Sequence, residues 1–176
     1  GSSAFWSTIV PLLAQRFKII LMDHRGTARS DRPEQPYSIE LLARDAVDVL
    51  DFFGIASAHI VGHSTGGAIA QVLALDHAAR VKRIVLGGAW GARDEQFRLL
   101  FDTRRTILNQ AGARAYAATG FFLACPPEWI RQNFAEITAA LDRAEEDFSP
   151  AAVVSERIRM IMDYDRSADL HRVTAP

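Results

Sequence analysis

The chain of 176 residues contains a single cysteine, Cys125. One thiol excludes an internal disulfide framework and fits a reducing compartment, so a cytoplasmic location is expected. With no evident base partner, Cys125 reads as a cap or core residue rather than a nucleophile. No apolar run approaches the roughly 20 residues that cross a bilayer, and no signal-peptide pattern opens the sequence. Charge of one sign is also missing. The 20 Lys and Arg against 21 Asp and Glu leave a net charge of -1, which argues against a nucleic-acid footprint. What is present is 49% hydrophobic residues, enough to build the core of one domain. Gly1-Ser2-Ser3 does not read as a natural start.

One stretch organises the rest. A short apolar run with Ile60 and Val61 stops at Gly62, and a helical pattern with Ala68, Ile69, Val72 and Leu73 begins after Gly67. Between them lies G-x-S-x-G, as Gly62-His63-Ser64-Thr65-Gly66. A serine at so sharp a strand-to-helix turn is pushed out at the strand's carboxyl end, the geometry of a nucleophile elbow. Small neighbours let strand and helix approach. The N–H of Thr65, near a helix N-terminus, would point at an oxyanion formed on a substrate.

Around that turn the pattern alternates. Ser3 to about Arg16 reads as a helix with Phe5, Trp6, Ile9, Leu12 and Leu13 on one face and a kink at Pro11. Phe17 to Met22 is apolar throughout, as in a strand buried on both faces. It runs into the polar loop Asp23 to Asp31. Ser38 caps a helix carrying Ile39, Leu42, Ala46, Val49, Leu50 and Phe53, which stops at Gly54. After the elbow helix, Val81 to Leu86 forms another strand closed by Gly87-Gly88. Strand and helix in alternation predict a parallel α/β layout with right-handed crossovers. From about Arg93 to Asp165 the chain turns helical, with breaks at Gly112, Gly120, Pro126-Pro127 and Ser149-Pro150. This division predicts a core over 1–92, a helical lid over 93–165, and a return to the core over 166–176.

With these residues in place, the chain resembles the α/β-hydrolases. Three signatures carry the likeness: the elbow with its flanks, Val61 to Gln71; the loop Asp23-His24-Arg25-Gly26-Thr27-Ala28-Arg29-Ser30-Asp31; and Val173-Thr174-Ala175-Pro176. The loop is close to D-x-R-G-x-G-x-S, with Ala28 where glycine is usual. Gly87-Gly88-Ala89-Trp90 and Phe121 to Ile130 look most like pyrimidine-utilisation hydrolases of the RutD type, which are assigned aminoacrylate or carbamate, with enol-lactonases close behind.

The resemblance implies a parallel α/β-hydrolase core with a helical lid insertion, truncated at both ends. It also implies a serine hydrolase for small ester, lactone or carbamate-like substrates, working through an acyl-enzyme. Ser64 would be the nucleophile, Thr65 an oxyanion-hole residue, and Gly62, His63 and Gly66 the elbow. Trp90, Phe121, Phe122 and Trp129 would line the substrate pocket. No metal, organic cofactor, nucleic acid or membrane partner is implied; a homodimer is a further expectation for the full-length protein. The family's triad continues with an acid and a histidine that would lie beyond Pro176, and Asp94 is the alternative acid. His63 should point away from Ser64 and pack, while His24 should serve as a loop or pocket residue. His59, His77 and His171 look like surface or element-end residues. A central strand is also missing, leaving unpaired edges, an apolar slot and poor solubility. The chain as written should be inactive. Two rivals are a non-catalytic hydrolase-like binding protein and a cofactor-free haloperoxidase-type perhydrolase.

Overall fold

The computed structural model describes residues 2–176, apart from the side chains of Glu145 and Asp147. Its first turns are short: a 3-10 turn at Ser3–Trp6, then α1 at Val10–Leu13. The continuous helix expected there does not form. Pro11 lies in the first turn of α1, where its missing N–H is not needed, so it opens a helix instead of kinking one. The apolar side chains Phe5, Ile9 and Leu12 remain exposed.

Residues 17–22 form no strand either. A strand exists by its ladder, and none of the described residues supplies one for this run. Phe17 and Leu21 are left exposed, against the expectation of burial on both faces.

The next elements follow the pattern. Ser38 Oγ accepts from Leu41 N–H at 3.0 Å and starts α2 (Ile39–Phe52), which ends before Gly54 at φ 64. Strand β1 (Ala58–His63) leads into α3 (Thr65–Asp76), and β2 (Val81–Gly87) pairs with β1 in parallel. Register runs from His59 opposite Arg83 to His63 opposite Gly87. Among the described residues the sheet holds these two strands.

Helix α3 is apolar on nearly every side because it is sandwiched. Ala68, Ile69, Val72 and Leu73 are buried against Ile39, Leu42 and Ala43 of α2, with Ile60 and Val81 of the sheet packed beside them. At about 25 cal/mol per Å² of apolar surface removed from water, each fully covered aliphatic side chain contributes roughly 1.5–3 kcal/mol. This block holds the elbow still.

Five helices follow: α4 (Glu95–Ala124), α5 (Pro127–Gln132), α6 (Phe134–Asp142), α7 (Ala144–Asp147) and α8 (Ala151–Asp163). The expected breaks occur at Gly112, with φ 78 and ψ -175, at Pro126-Pro127 and at Ser149-Pro150. Gly120 does not break α4, since a lone glycine costs a helix only about 1 kcal/mol. Helix α8 joins this half to the core: Val153 and Met160 pack into the α2–α3 cluster, and Val154 and Ile158 pack against Leu108 of α4.

After α8, Arg166 pairs with both carboxylate oxygens of Asp76 at 2.9 Å each and with Asp169 at 2.9 Å. The final residues reach the sheet, where Ile84 N–H donates to Pro176 O at 2.9 Å. No helix among the described residues is long and apolar enough to cross a membrane.

Candidate active site

Ser64 occupies φ 52, ψ -121, a left-handed backbone that a side chain rarely adopts. Such strain costs about 1–3 kcal/mol and persists only where the surroundings over-determine it. Here they do. Ser64 N–H donates to Gly87 O at 2.8 Å, carrying the β1–β2 ladder one residue past the strand. Ser64 O then accepts from Gly67 N–H at 2.7 Å and Ala68 N–H at 3.3 Å, which starts α3.

Two glycines make the turn possible. A Cβ on Gly62 would lie 2.1 Å from Gly66 O, and one on Gly67 would lie 2.5 Å from Ala89 Cβ. Gly66 is different, with its nearest neighbour, His24 Cε1, at 4.0 Å. The Ser64 side chain makes no capping bond to its own helix and is exposed. The N–H groups of Thr65 and Gly66 precede the first intrahelical bond, so they face the Ser64 side of the helix end with the positive pole of its dipole.

The Asp23–Asp31 loop is tied down beside this turn. Asp23 Oδ1 accepts from Ser3 N–H at 2.7 Å, and Oδ2 from the N–H and Nε of Arg29 at 3.3 Å each. The Ser3 bond is the main reason its carboxyl is held well below the usual carboxylate range. Thr27 closes a turn on His24 O, Gly26 N–H donates to Asp31 O at 2.8 Å, and Arg25 grips Asp45 with two bonds of 2.6 and 2.9 Å. Ala28 takes φ 48, so it adopts the left-handed conformation that glycine would take more cheaply. From the other side, Ser149 Oγ donates to Gly26 O at 2.7 Å and Arg157 donates to Arg25 O.

The loop and the elbow share a cavity of about 290 Å³. Gly26 and Thr27 form one wall and Thr65 another, while Tyr116, Phe148 and Arg157 close it from the helical half. Phe121, Phe122 and Trp129 do not line it; Phe122 is 76% exposed and Trp129 42%. Trp90 does not line it either; its ring lies 5.1 Å from Phe97 and 6.0 Å from Tyr164 between centroids, and its Nε1 is buried without a described partner. The lining from α4 and α8 escaped sequence reading, although one signal was available. Arg157 falls on the apolar stripe of Val153, Val154, Ile158 and Ile161, where a helix facing a core has no reason to place a charge.

The histidines sort by place. His63 stacks on Phe5 at 4.6 Å and lies over Gly87 and Gly88, away from the α3 side of the strand. Burial pushes His24 down to about 3, with Arg157 adding to the shift. His59 meets Phe17 edge-on at 6.2 Å, and His77 ends α3. Asp94 caps α4, its Oδ1 accepting from Phe97 N–H at 2.7 Å.

A parallel strand pair with a strained serine between strand and helix, under helices that follow the sheet, defines the α/β hydrolase fold. The chain belongs to that family: the model of the alpha/beta hydrolase fold matches residues 1–158. Among its relatives is RutD of Caulobacter segnis, a proposed carbamate hydrolase, 36% identical over 175 residues, covering 98% of this chain and 66% of the relative. Of solved structures, a hydrolase from Pseudomonas aeruginosa aligns with TM-score 0.83 and 26% identity, over 99% of this chain and 65% of that one. The enol-lactonase from Burkholderia xenovorans LB400 aligns with TM-score 0.87 at 22% identity, over 99% and 66%, which shows the shared fold. The chain thus spans about two thirds of the length of the proteins it matches.

Proposed function

We propose that the full-length protein is a serine hydrolase acting on a small ester, lactone or carbamate-like carbonyl. The observation that carries this is the strained Ser64, held at φ 52 by forced glycines next to a cavity walled by Thr65. A fold holds a side chain in such a conformation only when the whole turn is built around it. The likeness to RutD and to the Pseudomonas hydrolase supports the same chemistry.

Ser64 Oγ adds to the carbonyl carbon while its proton passes to a histidine, which the family resemblance puts beyond Pro176. The carbonyl's electron pair moves onto oxygen, where Thr65 N–H meets it. Collapse of this intermediate expels the alcohol or amine with that proton and leaves Ser64 acylated. Water then adds in the same way, and the acid departs. Residues 93–165 act as the cap, with Tyr116 and the α8 side chains excluding water from the acyl pocket.

Fluorophosphonate labelling of the full-length protein tests this. Covalent labelling of Ser64 that disappears in Ser64→Ala is the expected result. A well-folded protein that takes up no label would overturn the mechanism and leave a non-catalytic binding role.

A further inference from the structure

Helix α3 begins directly after Ser64, yet its first turn lacks the usual means of holding a helix start. The turn is Thr65-Gly66-Gly67, with two of the poorest helix formers in succession. The Ser64 side chain makes no capping bond, and the turn carries no acidic side chain to meet the positive pole of the helix. Each omission has a reason. A Cβ on Gly67 would strike Ala89, a Ser64 Oγ engaged in capping would not be free to attack, and a carboxylate at that pole would compete with an oxyanion. A turn kept open for chemistry in this way frays unless something outside it holds it.

Tyr164 is placed to do so. It ends α8 and is 4% exposed. Its hydroxyl donates to Gln71 Oε1 at 2.9 Å, with Ala68 O at 3.5 Å as a long second contact. Gln71 is buried, and Ala68 is a residue whose own N–H donates to Ser64 O. The hydroxyl thus grips α3 where its glycine turn meets its apolar body. Trp90 sets the Tyr164 ring edge-on at 6.0 Å, one residue beyond the Ala89 that abuts Gly67. Burial pushes the hydroxyl up to about 12, so it stays a donor at neutral pH. Two residues on, Arg166 binds Asp76 in the last turn of α3, so the segment after α8 holds that helix at two places.

We infer that Tyr164 is a positioning residue: by holding the start of α3 through Gln71 and Ala68, its hydroxyl keeps Thr65 N–H aimed at the oxyanion. This rests on the serine-hydrolase reading above. It gives the helical half a part in the chemistry that needs no contact with substrate, because Tyr164 is the residue that closes α8.

The test uses the full-length protein and follows p-nitrophenyl acetate turnover, fluorophosphonate labelling of Ser64 and amide hydrogen exchange. In the wild type, Ala68 N–H should exchange as slowly as Val72 N–H in the middle of α3; a first turn that exchanges freely would overturn the proposal. Tyr164→Phe should lower kcat and the labelling rate about tenfold, less than the loss of a whole oxyanion donor, with KM within about twofold. Exchange at Ala68 should rise about tenfold while His77, at the other end of α3, stays within about twofold. Arg166→Met is the control that frees the far end of the helix. It should lower the urea midpoint and leave kcat within about twofold. Adding Gln71→Met to Tyr164→Phe removes the acceptor that has lost its donor, so the urea midpoint should recover while the slow rate persists. A rate that recovers with stability, or equal kcat losses in Tyr164→Phe and Arg166→Met, would mean that Tyr164 only supports the fold. The double variant decides if Tyr164→Phe alone does not fold. A wild type that takes no label, with Ala68 exchange that still depends on Tyr164, removes the hydrolase reading and keeps the clamp. A labelled protein whose Ala68 exchange ignores Tyr164→Phe removes the clamp alone.

Discussion

The two faces of the β1–β2 pair differ in composition and meet opposite fates. Toward α3, Ile60 packs into a cluster with Leu42 and Val72, exposed by 0% and 1%. On the other side Val61 is 48% exposed and Val85 61%, and nearby Phe17 and Leu21 stand uncovered too. The covered face is the more apolar one, with Ala58, Ile60 and Ile84, whereas Val61 and Val85 stand among His59, His63 and Arg83, so composition and the presence of a partner surface both differ. An apolar run states a demand for burial, and the demand is met only where another element supplies the matching face. The elbow stands at the boundary, held by the packed α3 side and by the Ser64 N–H bond to Gly87 O along the sheet.

The largest effect is expected from disturbing that support at its tightest point. Gly62→Ala would drive a methyl group to 2.1 Å from Gly66 O, backbone that cannot move without opening the turn. The loss should be about 4 kcal/mol or more, read as a collapse of the urea midpoint or of soluble yield. Gly66→Ala, four residues on and with 4.0 Å of room, should stay within about 1 kcal/mol of the parent. Equal effects would mean that the turn is not held by close approach.

A middle-sized effect tests the covered side through pH. Burial keeps His24 neutral down to about 3, whereas an imidazole in the unfolded chain titrates near 6.5. Below that pH the unfolded state takes up a proton that the folded state refuses. Stability therefore falls as pH drops from about 6.5 toward 3, reaching a loss of about 2 kcal/mol at pH 5. Asp23 acts in a lower window: its depressed carboxyl stabilises the fold above about pH 4, and that contribution fades as pH falls further. His24→Gln should thus flatten the stability profile between pH 6.5 and 5 and leave the steeper acid limb intact. An unchanged slope in urea melts across that range would show that His24 is not desolvated.

The same contrast explains what could be read in the sequence. Helix α2, the elbow and β2 were legible because their signals are local: Ser38 as cap, Gly54 as stop, G-x-S-x-G as turn. Residues 17–22 have the composition of a strand but form none, because that status depends on a ladder partner that the described residues do not supply. The helical stretch was legible as helix, but its inward residues were not. Phe121, Phe122 and Trp129 are aromatic and were expected to face the pocket, yet Tyr116, Phe148 and Arg157 line it. Orientation there is set by the turn at Gly112 and by how α8 wedges between α4 and the core, which no short-range pattern encodes.

The smallest predicted effect concerns the loop, where Ala28 stands in a conformation that glycine would take more cheaply. Ala28 holds φ 48, a left-handed backbone costing a residue with a Cβ about 1–2 kcal/mol. Glycine would remove that strain but bring back about 0.5–1 kcal/mol of unfolded-state entropy. Ala28→Gly should therefore stabilise the protein by roughly 0.5–1 kcal/mol, visible as a small rise in the urea midpoint with the slope unchanged. The loop's frame should not move, since Arg32 Nη2 bonds to Ala28 O at 2.5 Å and Ser30 Oγ bonds to Asp23 O at 2.7 Å without using the methyl group. Because Ala28 also lines the cavity beside Thr65, losing its Cβ widens the space there slightly. A destabilised Ala28→Gly would mean that the methyl group's packing outweighs the strain, making the departure from glycine a feature of the pocket wall instead of a tolerated defect of the turn.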